Sequence, residues 1–135
     1  VDFIKSATAV VLTGYQKNLK SLLNQRIRWA AKTSSYSSNF AKFTGLIVFM
    51  MNFSLIVCAG LAFFDLLPYQ FLMLIFLLKF NVDFVLIYKS AKFMNRESLM
   101  RHYLWSSIVY PFFTVYVAIL SLFKGYEWKG RKFKK

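Results

Sequence analysis

Gln25-Arg26-Ile27-Arg28-Trp29 holds the residue types best suited to chemistry in this 135-residue chain. On a helix, positions i, i+3 and i+4 stand on one side, so the Gln25 amide, the Arg28 guanidinium and the Trp29 indole share a patch. The guanidinium is a planar fork of donors that matches phosphate oxygens and keeps its charge at any physiological pH. The indole adds an apolar plane and one N–H donor. Such a patch can hold a diphosphate beside a sugar ring. The same three side chains also suit simple anchoring at a membrane interface.

The element that must carry this patch is a helix over 17–32, a stretch of good helix formers without Pro or Gly. At 100° per residue, Leu19, Leu22, Leu23, Ile27 and Ala30 fall on one side, while Gln25, Arg28, Trp29 and Lys32 fall on the other. An apolar stripe bordered by Lys17, Lys20 and Arg26 predicts a helix lying in the cytoplasmic interface, where cations meet anionic lipid. A core helix of a preceding domain is the competing reading. Upstream, the β-branched run over 9–13 before Gly14 predicts one short strand. A lone strand needs a sheet, and nothing downstream supplies one, so the partners are expected ahead of Val1. The chain is therefore read as a piece of a larger protein.

Composition sets the surroundings. Lys and Arg number 18 against 5 Asp and Glu, giving a formal charge of +13, yet 58% of positions are apolar and 20% aromatic. That combination excludes an ordinary soluble globule and points to a membrane protein with basic flanks. A single Cys and a single His exclude an intramolecular disulfide and a multi-ligand Cys/His metal site. The basic charge tracks membrane boundaries rather than one groove-sized face, which disfavours a nucleic-acid partner.

Three runs of apolar sequence, 43–64, 68–88 and 103–123, are each long enough to span a bilayer as helices of roughly 32 Å. Residues 1–42 carry seven Lys and Arg and one Asp, 89–102 carry four and one Glu, and 124–135 carry six and one Glu. The connection between the first two runs holds only Asp65, so the positive-inside rule puts that turn outside and both ends of the hairpin in the cytoplasm. The third run is ambiguous. A full crossing exports the tail, whose local charge is strongly positive, whereas a break at Pro111 allows a re-entrant segment and a cytoplasmic tail, the arrangement expected here. The predicted fold is mainly α and membrane-embedded: one short strand and an amphipathic interface helix in 1–42, two or three transmembrane helices in 43–123, and a basic tail in 124–135.

The Gln-x-x-Arg-Trp pattern of Gln25, Arg28 and Trp29 resembles the signature of membrane-embedded family 2 glycosyltransferases, the group of cellulose, chitin and hyaluronan synthases and ceramide glucosyltransferases. The element order is similar too: strand, interface helix with the motif, then membrane helices. The ending Trp128-Lys129-Gly130-Arg131 resembles the Trp-basic-Gly-Arg tail of many members. The resemblance covers the chain but only the back part of the family's architecture. It implies a sugar transferred with inversion from a nucleotide sugar, a UDP-sugar, to a lipid or polysaccharide acceptor, on the cytoplasmic side of a bacterial inner membrane. It further implies that Gln25 and Arg28 contact the donor diphosphate, that Trp29 floors the acceptor site, and that Trp128, Lys129 and Arg131 fold back near the phosphates. The Mg²⁺ or Mn²⁺ site and the catalytic base would lie ahead of Val1, leaving this piece inactive alone. The competing function is a small basic membrane anchor or assembly subunit without catalysis.

Other residues carry weaker signals. Lys79 and Asp83 are four apart inside the second run, where charge is costly, so they are expected to pair or to face protein, with Asn52 as a possible neighbour. A structural pair is the plainer reading, and a polar wall for an acceptor the sharper one. Arg96, Arg101 and His102 suit solvent or lipid headgroups, and Cys58 suits packing.

Overall fold

The computed structural model describes residues 6, 11, 14–33, 36–128 and 131–133. In chain order these form α1 (Leu19–Thr33), α2 (Asn39–Phe63), α3 (Tyr69–Phe93), a short 3₁₀ helix (Glu97–His102), α4 (Tyr103–Phe123), and two strands, β1 (Tyr126–Trp128) and β2 (Arg131–Phe133). The strand expected over 9–13 lies largely outside the described residues.

Among the described residues, three helices are long and apolar enough to cross a membrane: α2, α3, and the 3₁₀ helix continued into α4. Most of their large apolar side chains are exposed, among them Leu46, Ile47, Leu78, Val82, Leu86 and Ile108. An exterior of this kind is stable only in hydrocarbon, so this is an integral membrane protein. The helices begin or end a few residues beyond the apolar runs, because Asn39 and Lys42 at one boundary and Lys89 and Lys92 at another continue the same backbone into the headgroup region.

Both long helices stop in the same way. Asp65 and Asn95 have positive φ, 57° and 52°, and the residues after them close the turn, Leu66 N–H to the Leu61 carbonyl at 2.9 Å and Arg96 N–H to the Ala91 carbonyl at 2.8 Å. This is a Schellman ending, with the short polar side chains of Asp and Asn tolerating a backbone normally left to Gly. At the start of α2, Ser38 Oγ accepts from the Ala41 N–H at 3.3 Å.

Register follows from aromatic packing. Phe76, Phe80, Phe84 and Tyr88 form a ladder along α3, and Tyr103 docks on it at 4.8 Å from Phe80 and 5.4 Å from Phe84, ring to ring. Its hydroxyl donates to the Phe80 carbonyl at 2.7 Å. Two turns later, the Tyr110 ring stands 5.9 Å from Lys79 Nζ. Residue numbers therefore rise along α4 as they fall along α3, so α4 runs antiparallel to α3 and parallel to α2.

Pro111 does not break α4, which is helical from Tyr103 to Phe123. Proline removes the hydrogen bond to the Ser107 carbonyl, but it is buried against protein, where membrane helices tolerate such a loss. The re-entrant alternative for 103–123 gives way to one continuous helix, and the tail leaves the bundle at the Asp65 end. α1 packs mainly on α4 and touches both α2 and β1. Thr33 Cγ2 lies 3.4 Å from where a Cβ on Gly45 would be, so the end of α1 meets the first part of α2. A helix that reaches from there to the strand after α4 runs beside the bundle. The stripe expected to meet lipid is turned onto protein at Ile27, which is buried, while Leu19 stays exposed.

Cysteine labelling from each side of sealed membranes checks the crossing count. With a cysteine-free background, Asp65→Cys and Lys124→Cys should react from one side and Arg96→Cys from the other; labelling of Lys124→Cys together with Arg96→Cys would mean that α4 does not cross.

Candidate functional site

The first candidate is the exposed side of α1. Asn18 starts the helix: its Oδ1 accepts from the Ser21 N–H at 2.8 Å and its carbonyl from Ser21 Oγ at 2.9 Å. With the helix fixed, Gln25 and Arg28 are half-buried and Trp29 is 46% exposed. Arg26 reaches over the indole, its guanidinium carbon 4.8 Å from the ring centroid. This cation–π contact, three residues apart on one turn, orients the ring and covers one face. Sequence reasoning put Arg26 on the lipid border and missed the contact, although the i, i+3 spacing was there to be read.

The tail forms an antiparallel hairpin that pairs Tyr126 with Phe133 and Trp128 with Arg131, and its first strand touches α1. The motif helix and the tail are thus neighbours in backbone terms. Lys129 lies outside the described residues.

The second candidate lies in the bundle. A groove of about 560 Å³ between α2, α3 and α4 is lined by aliphatic side chains and Met51 together with Asn52, Lys79, Asp83, Tyr103, Ser106, Ser107 and Tyr110. Lys79 is 8% exposed and its ammonium pairs with the Asp83 carboxylate one turn on. The expected pairing at this depth is therefore present, and Asn52 lines the same groove. Asn52 is 1% exposed; its Nδ2 donates to the Val48 carbonyl at 2.7 Å, and its Oδ1 has no hydrogen-bond partner among the described residues. Neighbouring polar side chains in the spans satisfy themselves on their own helix: Asn81 on the Leu77 carbonyl, Ser90 on Leu86, Ser107 on Tyr103.

Among the described residues no three His, Cys, Asp or Glu side chains come together to hold a metal ion. No step is assigned to a metal here. Arg101 Nε donates to His102 Nε2 at 2.9 Å on the exposed 3₁₀ helix, in keeping with a solvated basic connection. No protein-family model, curated protein or solved structure matches the chain.

The ion pair makes its own prediction. Asp83→Leu leaves a buried ammonium unpaired and should cost the protein about 3–5 kcal/mol, whereas Lys79→Met with Asp83→Leu should recover most of it. Thermal unfolding in detergent reads the difference; equal losses in the single and double variants would show that the pair is not desolvated.

Proposed function

We propose that this chain is the C-terminal membrane portion of an inverting glycosyltransferase that moves a sugar from a nucleotide sugar, a UDP-sugar, to a lipid or glycan acceptor at the cytoplasmic face of a bacterial inner membrane. The observation that carries the reading is the Gln-x-x-Arg-Trp spacing of Gln25, Arg28 and Trp29 on one turn of an amphipathic helix placed directly before the membrane spans.

The chemistry asked of these residues is electrostatic and positional. An acceptor hydroxyl, deprotonated by a base outside this chain, attacks the anomeric carbon while the nucleoside diphosphate leaves with the bonding electron pair. Arg28 offsets the negative charge that develops on the leaving group, which is worth most in a site partly shielded from water. Gln25 adds a neutral donor beside it. Trp29 holds the acceptor sugar or lipid head by stacking on the indole face that Arg26 leaves uncovered, and the Arg26 contact keeps that face oriented.

One observation favours the non-enzymatic reading, a membrane anchor or assembly subunit: α1 is packed along α4 and against β1 as an ordinary member of the bundle. The two readings part at a single assay. In membranes holding the full-length protein, Trp29→Ala should lower sugar transfer by about 10²-fold with insertion unchanged, and Arg28→Lys, which keeps the charge but loses the fork, should lower it by about tenfold or more. Unchanged turnover in both variants, or no release of nucleoside diphosphate from any nucleotide sugar by the unaltered protein, would refute the glycosyltransferase reading.

A further inference from the structure

The Asn52 carboxamide poses a problem that the bundle leaves unsolved. Its Nδ2 is committed to the Val48 carbonyl, which fixes the orientation of the amide and leaves Oδ1 as a buried acceptor without a donor among the described residues. Asn52 lies 13 residues from the start of α2 and 11 from its end, hence near mid-depth, roughly 16–20 Å from either end of the helix. Bulk water does not reach that depth, and buried acceptors are rarely left unmet.

The groove in front of Asn52 supplies the rest of the argument. Its volume of about 560 Å³ falls within the roughly 300–1,000 Å³ typical of small-ligand sites. Its walls include Ile47, Leu78, Val82 and Leu86, all partly exposed to the lipid side. Lys79 of α3 lines the groove as well; its ammonium is paired with Asp83 and has further N–H groups beyond that bond. An occupant must therefore be mostly hydrocarbon and must present one group able to donate to Oδ1. A phosphate-bearing lipid fails: it offers no donor when ionised, and it would add a net charge beside an already neutral pair at a depth where charge is costly. An alkyl chain alone fails because Oδ1 stays unmet. A hydroxyl donates to Asn52 and can accept from Lys79, and its transfer to mid-depth costs far less than that of an ion.

We infer that the groove between α2, α3 and α4 is a binding site for an uncharged long-chain lipid alcohol, whose hydroxyl donates to Asn52 Oδ1 and whose chain lies along the aliphatic wall. The site is independent of sugar transfer: a hydroxyl held at mid-depth is remote from either membrane surface, so the bound alcohol is a resident lipid of the bundle and not the acceptor.

The test uses the full-length protein in lipid nanodiscs and a hexadecanol analogue bearing a diazirine on its chain. Photolabelling should fall on 47–52, 78–87 and 103–110. Unlabelled hexadecanol should displace the probe at about tenfold lower mole fraction than hexadecane, the advantage of one hydrogen bond to a buried acceptor. Asn52→Leu should keep the labelling and erase that difference. Equal competition by hexadecane and hexadecanol on the unaltered protein would overturn the inference, since it would mean that a trapped water, or nothing, meets Asn52; labelling confined to other segments would overturn it as well. The competition on the unaltered protein decides the matter even if Asn52→Leu fails to fold.

Discussion

Hydrocarbon offers no partner to a charge or to a backbone polar group, and the whole arrangement of this chain follows from that constraint. Lys and Arg are gathered ahead of α2, between α3 and α4, and after α4, so that the apolar runs between them become the spans. Thr44, Asn81 and Ser107 within the spans turn back to carbonyls of their own helix. Lys79 and Asp83 are the exception that tests the rule: one turn apart, they neutralise each other before either meets lipid.

Once charge has defined the spans, packing sets their register. The Schellman endings at Asp65 and Asn95 stop α2 and α3 where the polar connections begin, and the ladder Phe76, Phe80, Phe84 and Tyr88 gives Tyr103 a surface on which to start α4. That docking brings Ser107 and Tyr110 level with Lys79 and Asn52 and so creates the groove. The same bundle then holds α1, with Ile27 as its buried contact.

Much of this was legible in the sequence because charge and hydropathy are local signals. The first two spans, the α1 helix to within two residues at its start, and the Lys79–Asp83 pairing could all be read from spacing. What escaped depends on contacts between distant segments. Pro111 suggested a break, and only its burial in the bundle explains why the helix continues. The stripe on α1 reads equally well as lipid-facing or protein-facing, and Ile27 turns out to face protein. Asp65 and Asn95 carried a helix-ending signal that went unread, since the familiar mark is Gly. The unmet Oδ1 of Asn52 has no sequence signature at all: it arises because Val48 takes one end of the amide and no neighbour among the described residues takes the other.

The functional account rests on α1 offering Gln25, Arg28 and Trp29 to a nucleotide. The most direct measurement is a structure of the full-length protein in a lipid nanodisc with uridine diphosphate bound. The account predicts the diphosphate within hydrogen-bonding distance of Gln25 and Arg28, with the Trp29 indole flooring the adjacent cavity. A diphosphate bound away from α1, with that helix still packed along α4 and no cavity beside the indole, would contradict it.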